Sequence, residues 1–253
     1  MRREQIGVQL YTLRAQAARD LEGTLAAVAR MGYAGVEFAG FHGHDATAVR
    51  AMLDRHGLQA FAAHVPTTQF EDDIERVVAD LTTVGARWGV VPAAGVEDRN
   101  AEGMRRLGER MNGYARRLAE AGLRFAYHNH AFEFEGRNAD SGTWFDTLLA
   151  ATDPSLVFFE LDAFWAAVGG YEPDQVIRTN RSRIRLVHLK DAARDDPRKD
   201  VPFGEGVLDW GAILSAAREA GVEYYITEQD NPNPADPAGD VATAYRNAER
   251  MSQ

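Results

Sequence analysis

The segment Tyr127-His128-Asn129-His130-Ala131-Phe132-Glu133-Phe134 places two imidazoles and a carboxylate directly after a short apolar run that is typical of a β-strand. His128 and His130 are two residues apart, so both side chains face the same side while the strand continues. Glu133 reaches the same space only if the backbone turns after His130. This combination indicates one wall of a metal site, and the alternative is a structural histidine pair that binds loops.

Similar polar side chains recur near the ends of other apolar segments. They are Gln9, Glu37, His64, His128, Asp162, His188, Lys190 and Glu228. Asp162, His188 and Glu228, with one further ligand from the segment that ends at His128, would form a nitrogen and oxygen donor set. Such a set leaves room for substrate oxygens or water.

Each of these residues also has a structural interpretation. Asp162 could cap a helix, His188 could be a core histidine paired with Asp191, and Glu228 could form a buried ion pair with Lys190. Burying several ionisable groups without a cation or ligand is costly, and this favours the metal site.

The elements that must position these groups alternate regularly. Strand and helix patterns follow one another eight times, in units of roughly thirty residues, and Gly stands at most helix ends. The predicted strands cover residues 6–12, 35–39, 58–64, 88–92, 123–128, 156–162, 184–190 and 224–228; the predicted helices cover 20–31, 45–56, 70–84, 101–121, 143–151, 173–180, 210–220 and 240–251. This order predicts a (β/α)8 TIM barrel, a single domain over residues 1–253, with a flavodoxin-like sheet plus an appendage as the alternative. Catalytic residues of such barrels lie at the carboxyl ends of the strands.

Composition limits the classes of partner. The chain has 253 residues, 45% hydrophobic and 26% charged, with a formal net charge of −10, so we expect no nucleic-acid partner. It has no cysteine, which excludes disulfides, thiolate metal sites and cysteine nucleophiles. No leader segment and no run of about 18 apolar residues is visible, so we expect a soluble, cytoplasmic protein without a membrane partner.

Several motifs occur together in one known family. They are Tyr127-His128-Asn129-His130 with Glu133-Phe134, Glu160-Leu161-Asp162, His188-Leu189-Lys190-Asp191, Phe203-Gly204-Glu205-Gly206 followed by Asp209-Trp210, and Glu228-Gln229-Asp230. In this order the chain resembles the sugar phosphate isomerase/epimerase superfamily, the xylose-isomerase-like barrels, over nearly its whole length. The superfamily includes inosose dehydratases and isomerases, ketose 3-epimerases and type-IV endonucleases.

The resemblance implies a divalent metal cation, most often Mn²⁺. It would be held by Asp162 after strand six, His188 at strand seven and Glu228 at strand eight. His128 matches the position of the ligand from strand five, and His130 and Glu133 stay open as alternatives. A nitrogen and oxygen donor set also suits Zn²⁺, Co²⁺ or Mg²⁺.

Two departures from the family bear on the reaction. Many members carry Glu-Asn at the end of strand five, where this chain has His128-Asn129. This chain therefore lacks one of the two metal-bound carboxylates that epimerases use. Trp165 stands where epimerases and endonucleases carry a His three residues after the Asp. A Trp there can pack against the C–H face of a sugar ring, and it removes a ligand that multi-zinc endonuclease chemistry requires.

The resemblance also implies roles in a proton transfer beside a substrate carbonyl. Glu228 is the predicted carboxylate that exchanges the proton, and His130 or Glu133 is the partner acid/base. Lys190 is either a donor to the developing oxyanion or a salt-bridge partner of Glu160 or Glu228. The predicted substrate-binding residues are Gln9, Glu37, His64 and Trp165, with Gln9 and Tyr11 at the floor or wall.

The Gly204-Glu205-Gly206 loop lacks the lysine that phosphate loops place at the start of a helix, so we predict a simple turn and an unphosphorylated substrate.

These features predict a divalent-metal-dependent isomerase or epimerase of a keto-sugar or related polyol, acting through an enediolate. The alternative is a lyase or dehydratase of inosose or a 3-keto-glycoside, which the His at strand five favours. A third hypothesis, from a different class of protein, is a non-catalytic barrel scaffold. The presence of residues of the types that bind metals argues against it. Relatives often form dimers or tetramers, so a homo-oligomer is among the expectations.

Overall fold

Eight parallel strands form a closed barrel in the computed structural model, which describes residues 1–140 and 142–252. The strands are β1 (Ile6–Gln9), β2 (Gly35–Phe38), β3 (Gln59–His64), β4 (Trp88–Val91), β5 (Arg124–His128), β6 (Val157–Asp162), β7 (Ile184–Leu189) and β8 (Tyr224–Thr227). Each strand pairs with its neighbours in sequence, and β8 pairs with β1 to close the barrel. The predicted (β/α)8 barrel is therefore confirmed.

Helices connect the strands. They are α1 (Arg14–Ala17), α2 (Leu21–Met31), α3 (Ala46–His56), α4 (Thr67–Val84), α5 (Ala101–Glu120), α6 (Phe132–Glu135), α7 (Trp144–Ala151), α8 (Ala163–Val168), α9 (Pro173–Thr179), α10 (Trp210–Ala220) and α11 (Pro237–Arg250), with 3₁₀ turns at Arg3–Gln5, Leu10–Leu13 and Val96–Asp98. None of the helices described is long and apolar enough to cross a membrane. In the loop after β7, Asp191–Ala192 pairs with Asp200–Val201 as a short antiparallel ribbon.

The differences from the predicted elements have local causes. β1 ends at Gln9, because the Gln9 side chain accepts the backbone N–H of Tyr11 and begins a 3₁₀ turn. α4 starts before the predicted residue 70, and its backbone breaks at Asp73 (φ −158°, ψ 79°), whose carboxylate caps the N–H of Arg76. α6 and α8 have four and six residues, too few to show a helical period in the sequence.

The amino-terminal part of the barrel interior is filled by apolar side chains. Ala62, Trp88, Val90, Ala126 and Leu186 form a buried cluster, with Phe158 and Tyr224 packed against it. Phe61 stacks on Tyr224 with 3.9 Å between ring centroids. Gly7 and Gly35 make room for this ring, because a Cβ on either would lie 2.8 or 2.6 Å from a Phe61 carbon. This end of the barrel is therefore closed, and the open end is at the carboxyl ends of the strands.

The strand register brings the polar strand ends to one rim. Glu160 lies opposite His128 on β5, and Asp162 lies opposite His188 on β7. Because alternate residues of a strand face the same side, Glu160 and Asp162 both point into the barrel, one layer apart. The interior of the carboxyl rim is therefore lined by two layers of ionisable groups.

Candidate metal centre

Four side chains at the ends of β5 to β8 form a compact cluster of possible metal ligands. His128, Asp162, His188 and Glu228 each offer one nitrogen or oxygen atom, and these atoms all lie within 4.8 Å of one another. All four residues are buried. The structure thus brings together the four residues that the sequence predicts as ligands, although they are separated by long stretches of chain.

Hydrogen bonds from the backbone orient the carboxylate at the centre of this cluster. Asp162 Oδ1 accepts the N–H of Trp165 at 2.9 Å as the N-cap of α8. Asp162 Oδ2 faces the cluster, 3.9 Å from His128 Nε2 and from His188 Nδ1. Asn129 Oδ1 accepts the N–H of Asp162 at 3.0 Å and so joins the end of β5 to the end of β6. The helix-cap and metal-ligand interpretations therefore apply to different oxygens of one carboxylate.

A buried ammonium group lies beside the acids. Lys190 Nζ is 2.9 Å from Asp162 Oδ2, 2.8 Å from Glu228 Oε2 and 2.8 Å from Asp230 Oδ2. Burial alone would lower the pKa of Lys190, but the three carboxylates outweigh it and hold the pKa well above its usual value. Lys190 is therefore charged. The predicted salt bridge to Glu228 is confirmed, and Glu160 is not a partner of Lys190.

Burial and neighbouring charges set the protonation states of the cluster. Burial opposes ionisation of Glu228, yet Lys190 and His188 hold its pKa well below the usual range. Burial raises the pKa of Asp162 to about 6. Burial and the adjacent His188 lower the pKa of His128 far below its usual value, so this ring is neutral. Ionised carboxylates and neutral imidazoles are the forms that bind metals.

The pKa of His188 is shifted in the opposite direction to that of His128. Burial would lower its pKa, but Glu160 and Glu228 outweigh burial and raise it well above the usual value. Metal binding to this ring would therefore release a proton.

The donor set fits a divalent cation. Two imidazoles and two carboxylates suit Mn²⁺, Zn²⁺ or Co²⁺ better than soft metals that require thiolates. Apart from the ion pair with Lys190, Asp162 Oδ2 has no hydrogen-bond partner within residues 1–140 and 142–252. The Lys190 ammonium group occupies one lone pair of this oxygen, and a cation held by the cluster would take the other.

A second polar layer lies one step deeper in the barrel. Glu37 Oε2 lies 2.7 Å from His188 Nε2 and accepts a hydrogen bond from Gln9 Nε2 at 2.9 Å. Burial and the nearby Glu160 raise the pKa of Glu37 to about 7. Gln9 and Glu37 are fully buried. This placement beneath the open cavity does not support the predicted contact of Glu37 with substrate hydroxyls, nor the predicted place of Gln9 in the floor or wall of the substrate site.

The cavity at the mouth measures about 160 Å³. It is lined by Tyr11, His64, Pro92, His128, His130, Glu228 and Asp230. Tyr11 is 42% exposed at its rim, with the Arg14 guanidinium carbon 4.2 Å from the ring centroid. A larger cavity of about 400 Å³ lies between α4 and the loop after β2, and His64 is the one predicted site residue in its lining. The smaller cavity is the one that adjoins the ligand cluster.

His130 is the neutral imidazole of this cavity. Its ring centroid lies 5.1 Å from that of His128 and 5.6 Å from that of Trp165. Burial, and then the charge of Lys190, lower the pKa of His130 to about 3. Its Nδ1 has no hydrogen-bond partner among the residues described. His130 is therefore uncharged and has one ring nitrogen free. Trp165 lies beside it, close to where the sequence predicts a sugar face.

Comparison with known families adds evidence that is independent of this geometry. Residues 25–248 match the family model described as the xylose isomerase-like TIM barrel. The chain belongs to this family. As a xylose-isomerase-like barrel, it is a member of an enzyme family of carbohydrate isomerases and lyases.

Individual relatives of this xylose-isomerase-like barrel include dehydratases. The chain is 25% identical over 250 residues to the inosose dehydratase of Geobacillus kaustophilus, covering 83% of this chain and 80% of that one. It is 26% identical over 271 residues to the rhizopine catabolism protein MocC of Rhizobium meliloti, covering 92% and 82%. A crystal structure of a sugar phosphate isomerase/epimerase from Parabacteroides distasonis has the same fold, with a TM-score of 0.84, 20% identity and coverage of 97% and 93%.

Glu133 does not join the cluster of the xylose-isomerase-like barrel. Its Oε1 accepts the Tyr127 hydroxyl at 2.6 Å, and its Oε2 accepts the backbone N–H of His130 at 2.8 Å. Burial raises the pKa of Glu133 to about 8. Because both oxygens hold the turn after β5, this geometry does not support the predicted acid/base role of Glu133 and leaves His130 as the candidate.

The glycine loop after β7 is closed by an internal carboxylate. Asp191 Oδ2 accepts the N–H groups of Gly204 and Gly206 at 3.1 Å each, and it also accepts Trp210 Nε1–H at 2.7 Å. These amides are therefore already occupied, which agrees with the predicted turn. Asp191 is engaged here and is not the partner of His188.

Three residues of the site were not predicted from the sequence. Glu160 contacts three imidazoles, Asn129 holds Asp162, and Asp230 pairs with Lys190. A period-two argument could have found Glu160, because it stands two residues before Asp162 on the same strand. Asp230 stands in the motif Glu228-Gln229-Asp230, but it lies beyond the end of β8, and the motif alone does not indicate its ion pair with Lys190.

Proposed function

We propose that this protein is a divalent-metal-dependent lyase that dehydrates a keto-cyclitol such as inosose or cleaves a 3-keto-glycoside. The observation that carries the proposal is the four-residue donor cluster, two of whose members, His128 and Glu228, line a small cavity with the neutral imidazole of His130. The buried ammonium group of Lys190 lies behind Glu228. The relatives named as inosose dehydratases support the choice of a lyase over an isomerase.

The two substrate classes present the same chemistry. Each has a C–H bond next to a ketone and an oxygen substituent on the carbon beyond it. Elimination breaks the C–H bond and the C–O bond, and it forms a C=C bond conjugated with the carbonyl. One proton goes to a base, and the departing oxygen takes up one proton. The site must therefore supply a base, a proton donor and stabilisation of a developing oxyanion.

The side chains of the cavity can meet these three needs. His128, Asp162, His188 and Glu228 would hold the cation, which when bound would polarise the substrate carbonyl. Glu228 is ionised and His130 is neutral, so either can accept the proton next to the ketone. The three N–H groups of Lys190 are directed to Asp162, Glu228 and Asp230, so it is the positive charge of this group, behind Glu228, that would stabilise a developing oxyanion.

Isomerisation or epimerisation of a keto-sugar is the second candidate function. It uses the same proton abstraction, but it requires a second group that returns the proton. His130 lines the cavity with Glu228 and is the residue for that task. The absence of a carboxylate at position 128, where epimerases of the superfamily carry Glu, ranks this function below elimination.

The decisive experiment is a reaction in heavy water with the purified protein, Mn²⁺ and an inosose or a 3-keto-glucoside. A lyase releases water or the aglycone, whereas an isomerase gives a product of unchanged composition that carries deuterium. We expect elimination, and its loss after chelation of the metal. Deuterium uptake without elimination would support the isomerase instead, and no turnover of any keto-polyol would refute both.

Variants test the assigned roles. Asp162→Asn should abolish metal binding and turnover together. His130→Gln should lower kcat by about 10²- to 10⁴-fold with unchanged affinity for Mn²⁺, because acid/base residues contribute in this range. Asp195→Asn, an exposed residue of the loop after β7, is the matched control and should behave as the wild type. Unchanged kcat in His130→Gln would leave Glu228 as the base.

A further inference from the structure

Glu160 lies directly beneath the candidate metal centre. It stands two residues before Asp162 on β6 and opposite His128 in the strand register. Its side chain has no exposed surface. It therefore cannot contact a substrate in the mouth cavity. It is not one of the four clustered ligands described above, but it forms a second group of possible ligand atoms with His64, His128 and His188, also within 4.8 Å of one another.

Both candidate histidine ligands present one ring nitrogen to the centre and the other to Glu160. His128 Nε2 faces Asp162, whereas His128 Nδ1 lies 3.1 Å from Glu160 Oε2. His188 Nδ1 lies 2.9 Å from Glu228, whereas His188 Nε2 lies 2.7 Å from Glu37 Oε2 and 3.1 Å from Glu160 Oε2, so Glu160 shares this nitrogen with Glu37. A neutral imidazole has one N–H and one lone pair, so an N–H held by Glu160 directs the lone pair toward the centre.

Glu37 and Glu160 contact different sets of imidazole rings. Glu37 Oε2 contacts His188 and, at 3.4 Å, His64, but Glu160 Oε2 contacts His64, His128 and His188. Glu160 is thus the one carboxylate of the deeper layer that contacts both candidate histidine ligands in the part of the chain described.

The hydrogen bonding of Glu160 is poor for a purely structural carboxylate. Its Oε1 has no hydrogen-bond partner among the described residues, and all of its contacts are made through Oε2. By contrast, Asp191 uses both oxygens and contacts four backbone N–H groups and an indole. A buried carboxylate with one unpaired oxygen costs stability, so the arrangement favours orientation of the rings over stability of the barrel.

We propose that Glu160 is a positioning residue that fixes which nitrogen of His128 is available to the metal and, together with Glu37, which nitrogen of His188. His128 would bind through Nε2 and His188 through Nδ1. This inference rests on the proposed metal-dependent function, and it adds a residue that acts through the ligands rather than on the substrate.

The test is calorimetric titration of the metal-free protein with Mn²⁺. Glu160→Gln should weaken Mn²⁺ binding about 10- to 100-fold, the range seen when carboxylate partners of histidine ligands are removed. Its unfolding midpoint in the metal-free state should lie below that of the wild type, because the buried ring of His188 loses one carboxylate partner and this loss outweighs the cost of the unpaired Oε1. Glu160→Asp should not restore affinity, since it keeps the charge but shortens the side chain.

The matched control is Asp98→Asn, which removes another buried carboxylate that pairs with Arg110 and touches no imidazole. It should leave Mn²⁺ affinity unchanged. Wild-type affinity in Glu160→Gln, or full affinity in Glu160→Asp, would overturn the positioning role while the proposed function stands. No binding of Mn²⁺ by the wild type would overturn the proposed function and this inference with it.

A measurement on the wild type makes the test independent of whether the variants fold. Long-range ¹H–¹⁵N spectra of the Zn²⁺-loaded protein report which ring nitrogen carries a proton. We expect protons on His128 Nδ1 and His188 Nε2. Protons on the opposite nitrogens would overturn the inference.

Discussion

Lys190 is the residue on which the charge balance of the site depends. Its fully buried ammonium group contacts Asp162, Glu228 and Asp230 within 2.9 Å. Removing one partner of a buried ionic group leaves the remaining charges uncompensated, at a cost of about 3–5 kcal/mol. A bound cation would take over part of this compensation, so the effect of losing Lys190 depends on the metal.

Lys190→Met should lower the free energy of unfolding of the metal-free protein by about 3–5 kcal/mol, and saturating Mn²⁺ should recover part of the loss. Urea unfolding with and without Mn²⁺ measures both. Arg198→Met is the control, because Arg198 bridges Glu135 at the surface, where ion pairs contribute about 0–1 kcal/mol. Similar losses in the two variants would contradict the importance of Lys190.

Glu133 gives the second residue-scale prediction. Burial raises its pKa from 4.5 to about 8, so the folded protein holds a proton that the unfolded chain has lost in this interval. The stability contribution is complete below pH 4.5 and declines as pH rises to about 8. Glu133→Gln cannot ionise and should escape this decline.

Stability of Glu133→Gln relative to wild type should therefore increase between about pH 5 and about pH 8, by on the order of a few kcal/mol. Urea unfolding at the two values measures the change. Glu135→Gln, at an exposed neighbouring position, should show no such increase. A constant difference for Glu133→Gln would show that the carboxyl group is already ionised at the lower pH.

The loop after β7 is the element whose structure depends on one side chain. Asp191 accepts hydrogen bonds from the N–H groups of Ala192, Gly204, Gly206 and Leu208 and from the indole of Trp210. Gly206 fits only without a side chain, because a Cβ would lie 2.3 Å from an Asp191 oxygen and from the carbonyl oxygen of Ala192. The carboxylate thus takes the place that an external anion would occupy.

Asp191→Ala should leave several buried N–H groups unpaired and lower the free energy of unfolding by about 3 kcal/mol or more. We also expect faster tryptic cleavage after Arg198 or Lys199, which limited proteolysis detects. Asp195→Ala, in the same loop but exposed, should be cleaved at the wild-type rate. Equal rates for both variants would mean that other contacts hold the loop.

At the scale of the whole molecule, the candidate centre joins four consecutive strands. Its residues come from the ends of β5, β6, β7 and β8, half of the closed barrel. A cation held by all four would bind the folded chain and not the unfolded one, and its binding energy would stabilise the barrel as a unit.

Mn²⁺ at about 100 times its dissociation constant should therefore stabilise the protein by about 2.7 kcal/mol and raise the Tm. Thermal unfolding over a Mn²⁺ series measures the shift. Asp162→Asn should show none, whereas Asp195→Asn should match the wild type. A Tm shift in Asp162→Asn as large as that of the wild type would place the ion outside this cluster.

The sequence by itself determined the barrel and the identity of the clustered residues. Alternating strand and helix patterns are local properties, and eight of them in order leave few ways to bury the apolar faces. Once the strands are parallel, their carboxyl ends meet at one rim. For this reason, the residue types and their positions at strand ends are enough to group Asp162, His188 and Glu228 with one ligand from β5. The resemblance to the family indicates His128 for that ligand, with His130 and Glu133 as alternatives.

Only the tertiary structure decided how deep each polar side chain lies in the barrel and in which direction it points. Gln9 and Glu37 look like Glu228 in sequence, since each follows an apolar strand, but strand register places them one layer below the cavity. The turn after His130 directs Glu133 to Tyr127 rather than to the centre. The nitrogen that each histidine presents depends on Glu160, a partner from another strand, and such contacts between distant segments leave no local pattern in a sequence.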